Sequence, residues 1–212
     1  VKHILLSIYG LTYNTQNTRD ETIEEVKNII SIQMLPQYFP VGEDIFNAEI
    51  NYIPISEFEE IRFGNLLIQN IHTHHSKGTF AFKINENERS VIYMTDNELY
   101  FDKDSESPTM NSIKENNPKL IEFCKNTELL IHDTMYSPED YQYRRNWGHS
   151  CSQSVAYFSA LAQVKQLMYF HYEPDYSDEM LLELCNSTTR LVHSLDENII
   201  CTPARQNLEI TI

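Results

Sequence analysis

Basic residues are scarce in this chain of 212 residues, which has 16 Lys and Arg against 31 Asp and Glu and a formal net charge of -15 at pH 7. Such a charge repels phosphate backbones unless basic residues are gathered locally. The only compact basic cluster in the sequence is Arg144-Arg145. General nucleic-acid binding is therefore not expected, although a small phosphorylated substrate neutralised by bound metal is compatible with this composition.

Cysteine and long apolar runs are also scarce. The cysteines Cys124, Cys151, Cys185 and Cys201 form no C-x-x-C pair, and a chain of this size needs no disulfides to fold. No apolar run approaches the roughly 20 residues that a membrane span needs, and no basic start with an apolar core indicates a signal peptide. We therefore expect a cytoplasmic protein without a membrane partner.

No stretch rich in Pro, Gly or Ser divides the chain, so the sequence predicts a single domain over residues 1–212. Short β-rich runs recur, and several are apolar throughout, which is typical of strands covered on both faces. The predicted strands are 4–6, 49–55, 66–71, 79–84, 91–94, 129–131 and 167–170.

Three helical patterns lie between or after these strands. Apolar residues keep helical spacing from Ile23 to Met34, and the pattern stops before Pro36. Ser150 and Gln153 predict a capping box ahead of a helix to about Ala162, and Ser177 predicts the cap of a helix towards Leu195. Strands followed by interleaved strands and helices predict a mixed α/β sandwich.

Histidines and acidic residues follow several of the predicted strands. Eight histidines occur, and five of them are His72, His74, His75, His132 and His149. Asp96 ends the apolar run VIYMTD, and His171 follows LMYF. A transition-metal hydrolase needs neutral imidazoles and carboxylates that converge from separate strand ends on an open position for water. Each residue alone is more typical of a turn or a strand boundary, but their joint occurrence favours a metal site.

Five motifs occur in a fixed order along the chain: HHSKGTFAFKI, SVIYMTDNE, LLIHDTMYSPEDY, WGHS and LMYFHYEPDYSDE. Their order and spacing resemble the later motifs of the metallo-β-lactamase fold superfamily, in the branch that contains tRNA-maturing endonucleases and cyclic-phosphate phosphodiesterases. The similarity runs from about Ile29 to Leu184. The resemblance implies a four-layer αββα sandwich and a binuclear metal-dependent hydrolase, with a phosphodiesterase acting on a small or cyclic phosphate ester as the first choice.

The resemblance also implies a role for individual residues. His75 matches a ligand of the first metal, Asp96 the carboxylate that bridges both metals, and His171 a ligand of the second metal. His149 resembles the histidine that stabilises the scissile phosphate and passes a proton to the leaving oxygen, and Asp133 resembles the acid that orients it. The implied cofactors are two divalent metal ions, zinc first, with manganese or iron as alternatives. Some relatives in this branch form homodimers.

The remaining polar residues of these motifs have weaker assignments. His72 and His74 are expected to be exposed loop residues, and Asp178 is expected to cap a helix. His132 and Asp175 have no assigned role. The residues Tyr141, Tyr143, Arg144, Arg145 and Trp147 form either a substrate lip, where a guanidinium binds phosphate, or a solvated loop with an aromatic anchor.

The motif H-x-H-x-D-H, which supplies most of the metal ligands in this superfamily, is absent from the sequence. VKHILLS resembles the strand before that motif, IYG resembles a strand some distance after it, and the two join at Ser7 and Ile8. We expect that the polypeptide is N-terminally incomplete and interrupted at this join. Without the motif each metal has two predicted ligands, fewer than the three or four of a stable zinc site. Two alternatives therefore stay open: a non-catalytic binding or subunit-partner domain, and a thioester or lactone hydrolase or di-iron redox protein.

Overall fold

The computed structural model describes residues 4–10, 18–39, 48–76 and 79–212. Its contacts divide the chain into two compact units, Val1–Glu59 and Glu60–Ile212, which are described separately below. Within the described residues, no helix combines the length and the apolar character that a membrane crossing demands.

The first unit contains two strands joined through one helix. Strand β1 (Ile4–Gly10) pairs in parallel with β2 (Ala48–Pro54), and helix α1 (Arg19–Gln33) lies between them in sequence. Thr18 and Glu21 form a capping box at the start of α1, and the helix ends before Pro36 as predicted. A single strand runs through the join at Ser7 and Ile8, in accord with the lack of a turn residue there.

The described part of the second unit is built on one sheet of seven strands. In sheet order these are β3 (Ile61–Phe63), β4 (Leu66–His72), β5 (Phe80–Glu86), β6 (Arg89–Met94), β7 (Leu129–Asp133), β8 (Gln166–Phe170) and β9 (Ile200–Pro203). The pairs from β3 to β6 are antiparallel, and those from β6 to β9 are parallel. Because β4 and β6 are both antiparallel to β5, the carboxyl ends of β4, β6, β7, β8 and β9 meet at one edge of the sheet.

Helices connect the parallel strands of this sheet, because parallel neighbours need a crossover connection. They are α2 (Met110–Asn116), α3 (Pro118–Cys124), α4 (Pro138–Tyr141), α5 (Ser152–Ala162) and α6 (Asp178–Leu195). The core forms where α5 covers the middle of the sheet: Phe158 of α5 and the strand residues Ile92, Leu130, Leu167 and Tyr169 are all fully buried. A rigid, well-packed core of this kind gives the loops at the strand ends a fixed base.

Two predictions about helix starts need correction. The capping box at Ser150 is wrong: α5 begins after Cys151, which makes no side-chain cap bond, and the Ser150 hydroxyl instead donates to the Asn97 carbonyl at 2.6 Å. At α6 the cap is Ser177, whose hydroxyl accepts from the Met180 N–H at 3.3 Å, so Asp178 is a first-turn acid and does not cap the helix. Acids in the first turn still favour a helix electrostatically.

Candidate metal and proton-transfer site

The carboxyl edge of the sheet gathers the acidic and imidazole side chains. Asp96 follows β6, Asp133 is the last residue of β7, and His171 follows β8 directly. His149 lies in the connection before α5. Ligands of open α/β sheets bind beyond the carboxyl ends of the strands, so the topology itself places these groups where a site is expected.

Four of these side chains converge on one point. Asp96, Asp133, His149 and His171 each offer a ligand atom, and these atoms all lie within 4.8 Å of one another. His171 Nε2 lies 3.2 Å from Asp96 Oδ1, and the rings of His149 and His171 stack with centroids 4.9 Å apart. Carboxylate oxygens and imidazole nitrogens are donors that zinc and other divalent transition metals accept.

The backbone is strained at two of the predicted metal ligands. Asp96 has φ 51° and His171 has φ 57°, in the left-handed region that residues with a Cβ rarely adopt. Each such residue costs about 1–3 kcal/mol, which the surrounding packing must offset, and strained residues concentrate at functional sites. Six described non-glycine residues outside this group share the conformation, so the convergence of the side chains, and not the backbone conformation, carries the assignment of Asp96 and His171 to a site.

Asp133 is buried without any exposed surface, and its carboxylate is saturated with donors. His149 Nδ1–H donates to Oδ2 at 2.6 Å, and the Asn97 N–H donates to the same oxygen at 3.3 Å. The N–H groups of Met135 and Ser150 donate to Oδ1, both at 3.2 Å. This environment fixes the carboxylate, so that it determines the tautomer and orientation of the His149 ring.

Two opposing effects act on the pKa of His149. Burial lowers the pKa of the imidazole, but the hydrogen bond and charge of Asp133, with further charge from Asp96 and Glu98, outweigh it and raise the pKa above its usual value. The ring therefore retains a proton at Nε2 to a higher pH than a free imidazole. A group that keeps its proton near neutral pH is suited to general acid catalysis.

His75 lies beside this group of four without being one of them. Its Nδ1–H donates to the Gly148 carbonyl at 3.1 Å, and its ring centroid lies 4.9 Å from that of His149. Gly148 has φ 89°, and a Cβ on this residue would overlap the His75 ring. Glycine is thus required here both by the backbone conformation and by the close approach of the imidazole.

The other histidines are more buried than the sequence predicted. His72 and His74 are not exposed loop residues: His72 ends β4 with its ring 4.5 Å from Phe80, and His74 stacks on Tyr100 at 4.3 Å. Burial lowers the pKa of His74. The prediction failed because tertiary contacts cover these two residues: the His72 ring packs on Phe80, and the His74 backbone bonds to Asn97 and Glu98.

His132, which had no assigned role, is a structural residue. It is fully buried, its Nδ1–H donates to the Asp133 carbonyl at 2.6 Å, and its Nε2 accepts from the Asn97 side-chain amide at 3.3 Å. Burial lowers its pKa, so the ring is neutral. Asp175 is exposed and lies outside the converging group of described residues.

The residues of the expected substrate lip divide into two sets. Tyr141 and Arg145 belong to the fold: Tyr141 is buried, and the Arg145 guanidinium stacks 4.3 Å from the Phe101 ring while it donates to backbone carbonyls. Tyr143 and Trp147 are exposed at 83% and 62%.

Arg144 lies between these two sets. Its guanidinium is 3.8 Å from Asp140 and 4.0 Å from Glu173, and it packs over the rings of Tyr136 and Trp147. The exposed aromatic residues therefore match the solvated loop, and Arg144, which is already paired, is a weaker candidate for binding phosphate than the sequence indicated.

Two residues next to Asp96 were missed. The Asn97 side chain accepts from the His74 N–H at 3.0 Å and donates to His132, and Glu98 is 1% exposed with three hydrogen-bond donors on its carboxylate. A signal was present: both polar residues stand between the apolar strand VIYM and the apolar run LYF, a context that buries them.

Comparison with known proteins identifies the fold. No protein-family model matches the chain. The metallo-β-lactamase fold protein YhfI from Bacillus subtilis superposes on 96% of this chain and 64% of its own, with a TM-score of 0.61 and 16% sequence identity. The chain has the metallo-β-lactamase fold. The short form of human tRNase Z gives a TM-score of 0.56 at 15% identity over 97% of this chain and 67% of its own. The predicted α/β class and superfamily resemblance are confirmed.

Sequence similarity points to one branch of proteins with this fold. Ribonuclease Z from Sulfurisphaera tokodaii is 42% identical over 67 residues, which is 31% of this chain and 22% of the relative. Ribonuclease Z from Thermoplasma acidophilum is 34% identical over 64 residues. The matched segments span about a fifth of the length of these curated relatives. Over these segments the expected resemblance to the branch of tRNA-maturing endonucleases is thereby supported.

The donor set fits a divalent metal ion in part. Asp96 and His171 converge directly, whereas His75 lies outside this group, with its ring beside that of His149. Asp133 and His149 bind each other at 2.6 Å. Outside that pair the converging group therefore offers two donors, Asp96 and His171, whereas a stable zinc site has three or four protein ligands.

Proposed function

We propose that this protein is a metal-dependent hydrolase that cleaves phosphodiester bonds in a small or cyclic phosphate ester. The observation that carries the proposal is the convergence of Asp96 and His171 with the Asp133–His149 pair within 4.8 Å. A metal ligand pair beside a fixed imidazole combines activation of water with protonation of a leaving oxygen. The segmental similarity to ribonuclease Z supports the same class of substrate bond.

In this proposal Asp96 and His171 hold a divalent metal, with zinc first and manganese or iron as alternatives, and His75 is a further ligand that the resemblance implies. The bound ion would supply Lewis acidity towards a phosphoryl oxygen and would lower the pKa of the attacking water. Asp96 would contribute a negatively charged oxygen donor, and the two histidines neutral nitrogen donors.

The Asp133–His149 pair would act on the leaving group. Asp133 accepts from Nδ1 at 2.6 Å, which leaves Nε2 as the ring atom that can face a substrate. His149 would stabilise the scissile phosphate and donate the Nε2 proton to the leaving oxygen, while Asp133 stabilises the ring in its charged form. General acid catalysis of this kind contributes typically about 10²–10⁴-fold to the rate.

We propose a second metal ion only if the polypeptide has additional residues between Ser7 and Ile8. Such residues would carry the H-x-H-x-D-H motif that the resemblance implies. Intact mass spectrometry of the protein purified from its source tests this: a mass above 24.9 kDa by several kilodaltons is expected, and a mass equal to it would rule out the insertion.

The experiment for hydrolysis is turnover of bis(p-nitrophenyl) phosphate with added zinc or manganese. We expect metal-dependent turnover that falls at least about a hundredfold in His149→Ala and in Asp96→Ala. The matched control is Asp175→Asn, because Asp175 is an exposed acid in the loop after His171 and lies outside the converging group. Absence of metal-dependent turnover, or full turnover in both active-site variants, would refute the proposal.

A non-catalytic binding or subunit-partner domain is the second candidate, favoured by the absence of H-x-H-x-D-H from the sequence. Elemental analysis of the purified protein separates the two. Near-stoichiometric metal that is lost in Asp96→Asn but kept in Asp175→Asn supports the hydrolase, whereas near-zero metal in the unaltered protein supports the binding domain.

A further inference from the structure

Glu98 is a buried carboxylate that the proposed metal and proton-transfer roles do not use. Its side chain is 1% exposed and accepts three hydrogen bonds. Tyr141 Oη donates to Oε1 at 2.7 Å, the Asn146 N–H donates to the same oxygen at 2.8 Å, and the Gly148 N–H donates to Oε2 at 2.9 Å. Hydrogen bonds to a buried charged acceptor are strong, so the carboxylate fixes the segment that leads to His149.

The main chain of Glu98 fixes a second segment. Its N–H donates to the His74 carbonyl at 2.9 Å, and its own carbonyl accepts from His74 Nδ1 at 3.1 Å. His74 directly precedes His75 in the chain. One residue therefore bonds both to the segment before His75 and to the segment before His149.

Gly148 connects these two segments. Glu98 binds its N–H, and its carbonyl accepts from His75 Nδ1–H at 3.1 Å. Because Nδ1 carries the proton, Nε2 of His75 has the lone pair, which is the arrangement that orients imidazole ligands in metal sites. His149 follows Gly148, and the two imidazole centroids lie 4.9 Å apart.

We propose that Glu98 is a positioning residue that sets the separation of His75 and His149 and fixes the tautomer of His75 through Gly148. Its carboxylate and its main chain bond to the two histidine-bearing segments at once, so a movement of one segment is resisted by the other. The effect of Glu98 on catalysis rests on the proposed function. Its effect on the separation of the two histidines and on the His75 tautomer does not.

The direct test is amide hydrogen exchange and imidazole ¹⁵N NMR on the unaltered protein and on Glu98→Gln. The substitution keeps the size of the side chain but places an NH₂ group against one of the donors. We expect at least about a tenfold loss of exchange protection at the Gly148 amide. We also expect the ¹⁵N spectrum of Glu98→Gln to show a mixture of the Nδ1–H and Nε2–H tautomers of His75 in place of the single Nδ1–H tautomer. Glu115→Gln is the matched control, because Glu115 is exposed on α2.

Tyr141→Phe keeps the carboxylate and both amide bonds, so protection at Gly148 changes by less than about threefold and the His75 tautomer is retained. A folded Glu98→Gln variant with unaltered protection and tautomer would overturn the proposal. If Glu98→Gln does not fold, the unaltered protein decides: protection of the Gly148 amide supports the proposal, and exchange as fast as in an exposed loop overturns it.

Kinetics separate this role from a purely structural one. In an active enzyme, Glu98→Gln lowers kcat by about tenfold or more while KM stays within about twofold, because the reacting groups lose alignment without losing substrate contacts. A lower thermal midpoint of Glu98→Gln with an unchanged kcat would contradict a positioning role for Glu98. Loss of Gly148 protection in a protein without any hydrolase activity would refute the proposed function alone.

Discussion

Replacement of Asp133 by Asn tests the proton-transfer pair most directly. The four hydrogen bonds of this carboxylate divide between its oxygens: Oδ1 accepts from Met135 and Ser150, and Oδ2 accepts from Asn97 and His149. An Asn can accept at one position only. If its oxygen keeps the first two bonds, its NH₂ group faces the Asn97 N–H and the His149 Nδ1–H.

The expected loss of stability follows from these two mismatched contacts. The lost bond between the His149 ring and a charged acceptor is worth about 1.5–3 kcal/mol, and a buried N–H without an acceptor costs about 1–3 kcal/mol more. Because neighbouring groups relax in part, we expect the free energy of unfolding to fall by about 3–5 kcal/mol near pH 5.5. Urea denaturation of the metal-free protein measures it.

The destabilisation by Asp133→Asn should depend on pH, and the pKa of His149 determines the sign of that dependence. The folded pKa of His149 lies above the unfolded value of about 6.5, so its stabilising contribution is complete below about pH 6.5 and is lost as the pH rises through the folded pKa. Asp133→Asn should therefore destabilise the protein by about 1–2 kcal/mol less near pH 9 than near pH 5.5. A difference that does not depend on pH, or a His149 pKa that does not fall in the variant by NMR titration, would refute this reasoning.

Three further predictions concern Gly148, His132 and Phe158. Gly148→Ala combines an unfavourable positive φ with overlap on the His75 ring, so it should lower the free energy of unfolding by at least about 1–2 kcal/mol. It should also weaken zinc binding, which calorimetry measures, and a zinc affinity equal to that of the unaltered protein would contradict the contact. His132 is neutral when folded and its pKa is lowered by burial, so the unaltered protein should lose stability as the pH falls below about 6.5, and His132→Gln should show a flatter dependence. Phe158→Ala leaves a cavity under the sheet and should cost about 3–5 kcal/mol in urea denaturation; a loss under about 1 kcal/mol would mean that this face is not the core.

The extent of prediction from sequence differs between parts of the fold. Strands β1, β2 and β4 to β8 were predicted because each contains a β-rich, largely apolar run, and helices α1, α5 and α6 because of helical apolar spacing or a cap signal. Strands β3 and β9, with three and four residues, were missed because they are too short to form a clear β-rich run. Helices α2, α3 and α4 were missed because they span at most two turns, too few for a helical apolar spacing to repeat.

The structure brings four of the five predicted site residues together, and their roles stay predictions. Asp96, Asp133, His149 and His171 follow apolar strands or stand in distinctive motifs, and parallel strands then bring them to one edge. The role of Glu98 was not predictable, because its partners Tyr141, Asn146 and Gly148 are more than forty residues away in sequence and meet it only through the tertiary fold. The Ser150 cap failed for the same reason, since the hydroxyl bonds to Asn97 across the site.

The carboxyl edge of the sheet has a thermodynamic consequence for the ion. The proposed ligands His75, Asp96 and His171 follow β4, β6 and β8 and are far apart in sequence, so only the folded chain can bring them to one ion. An ion that binds only the folded state adds stability by mass action, about 2.7 kcal/mol at a free concentration one hundred times the dissociation constant. The thermal midpoint should therefore rise with ion concentration and fall again with a chelator, so metal affinity can be measured as stability without any substrate.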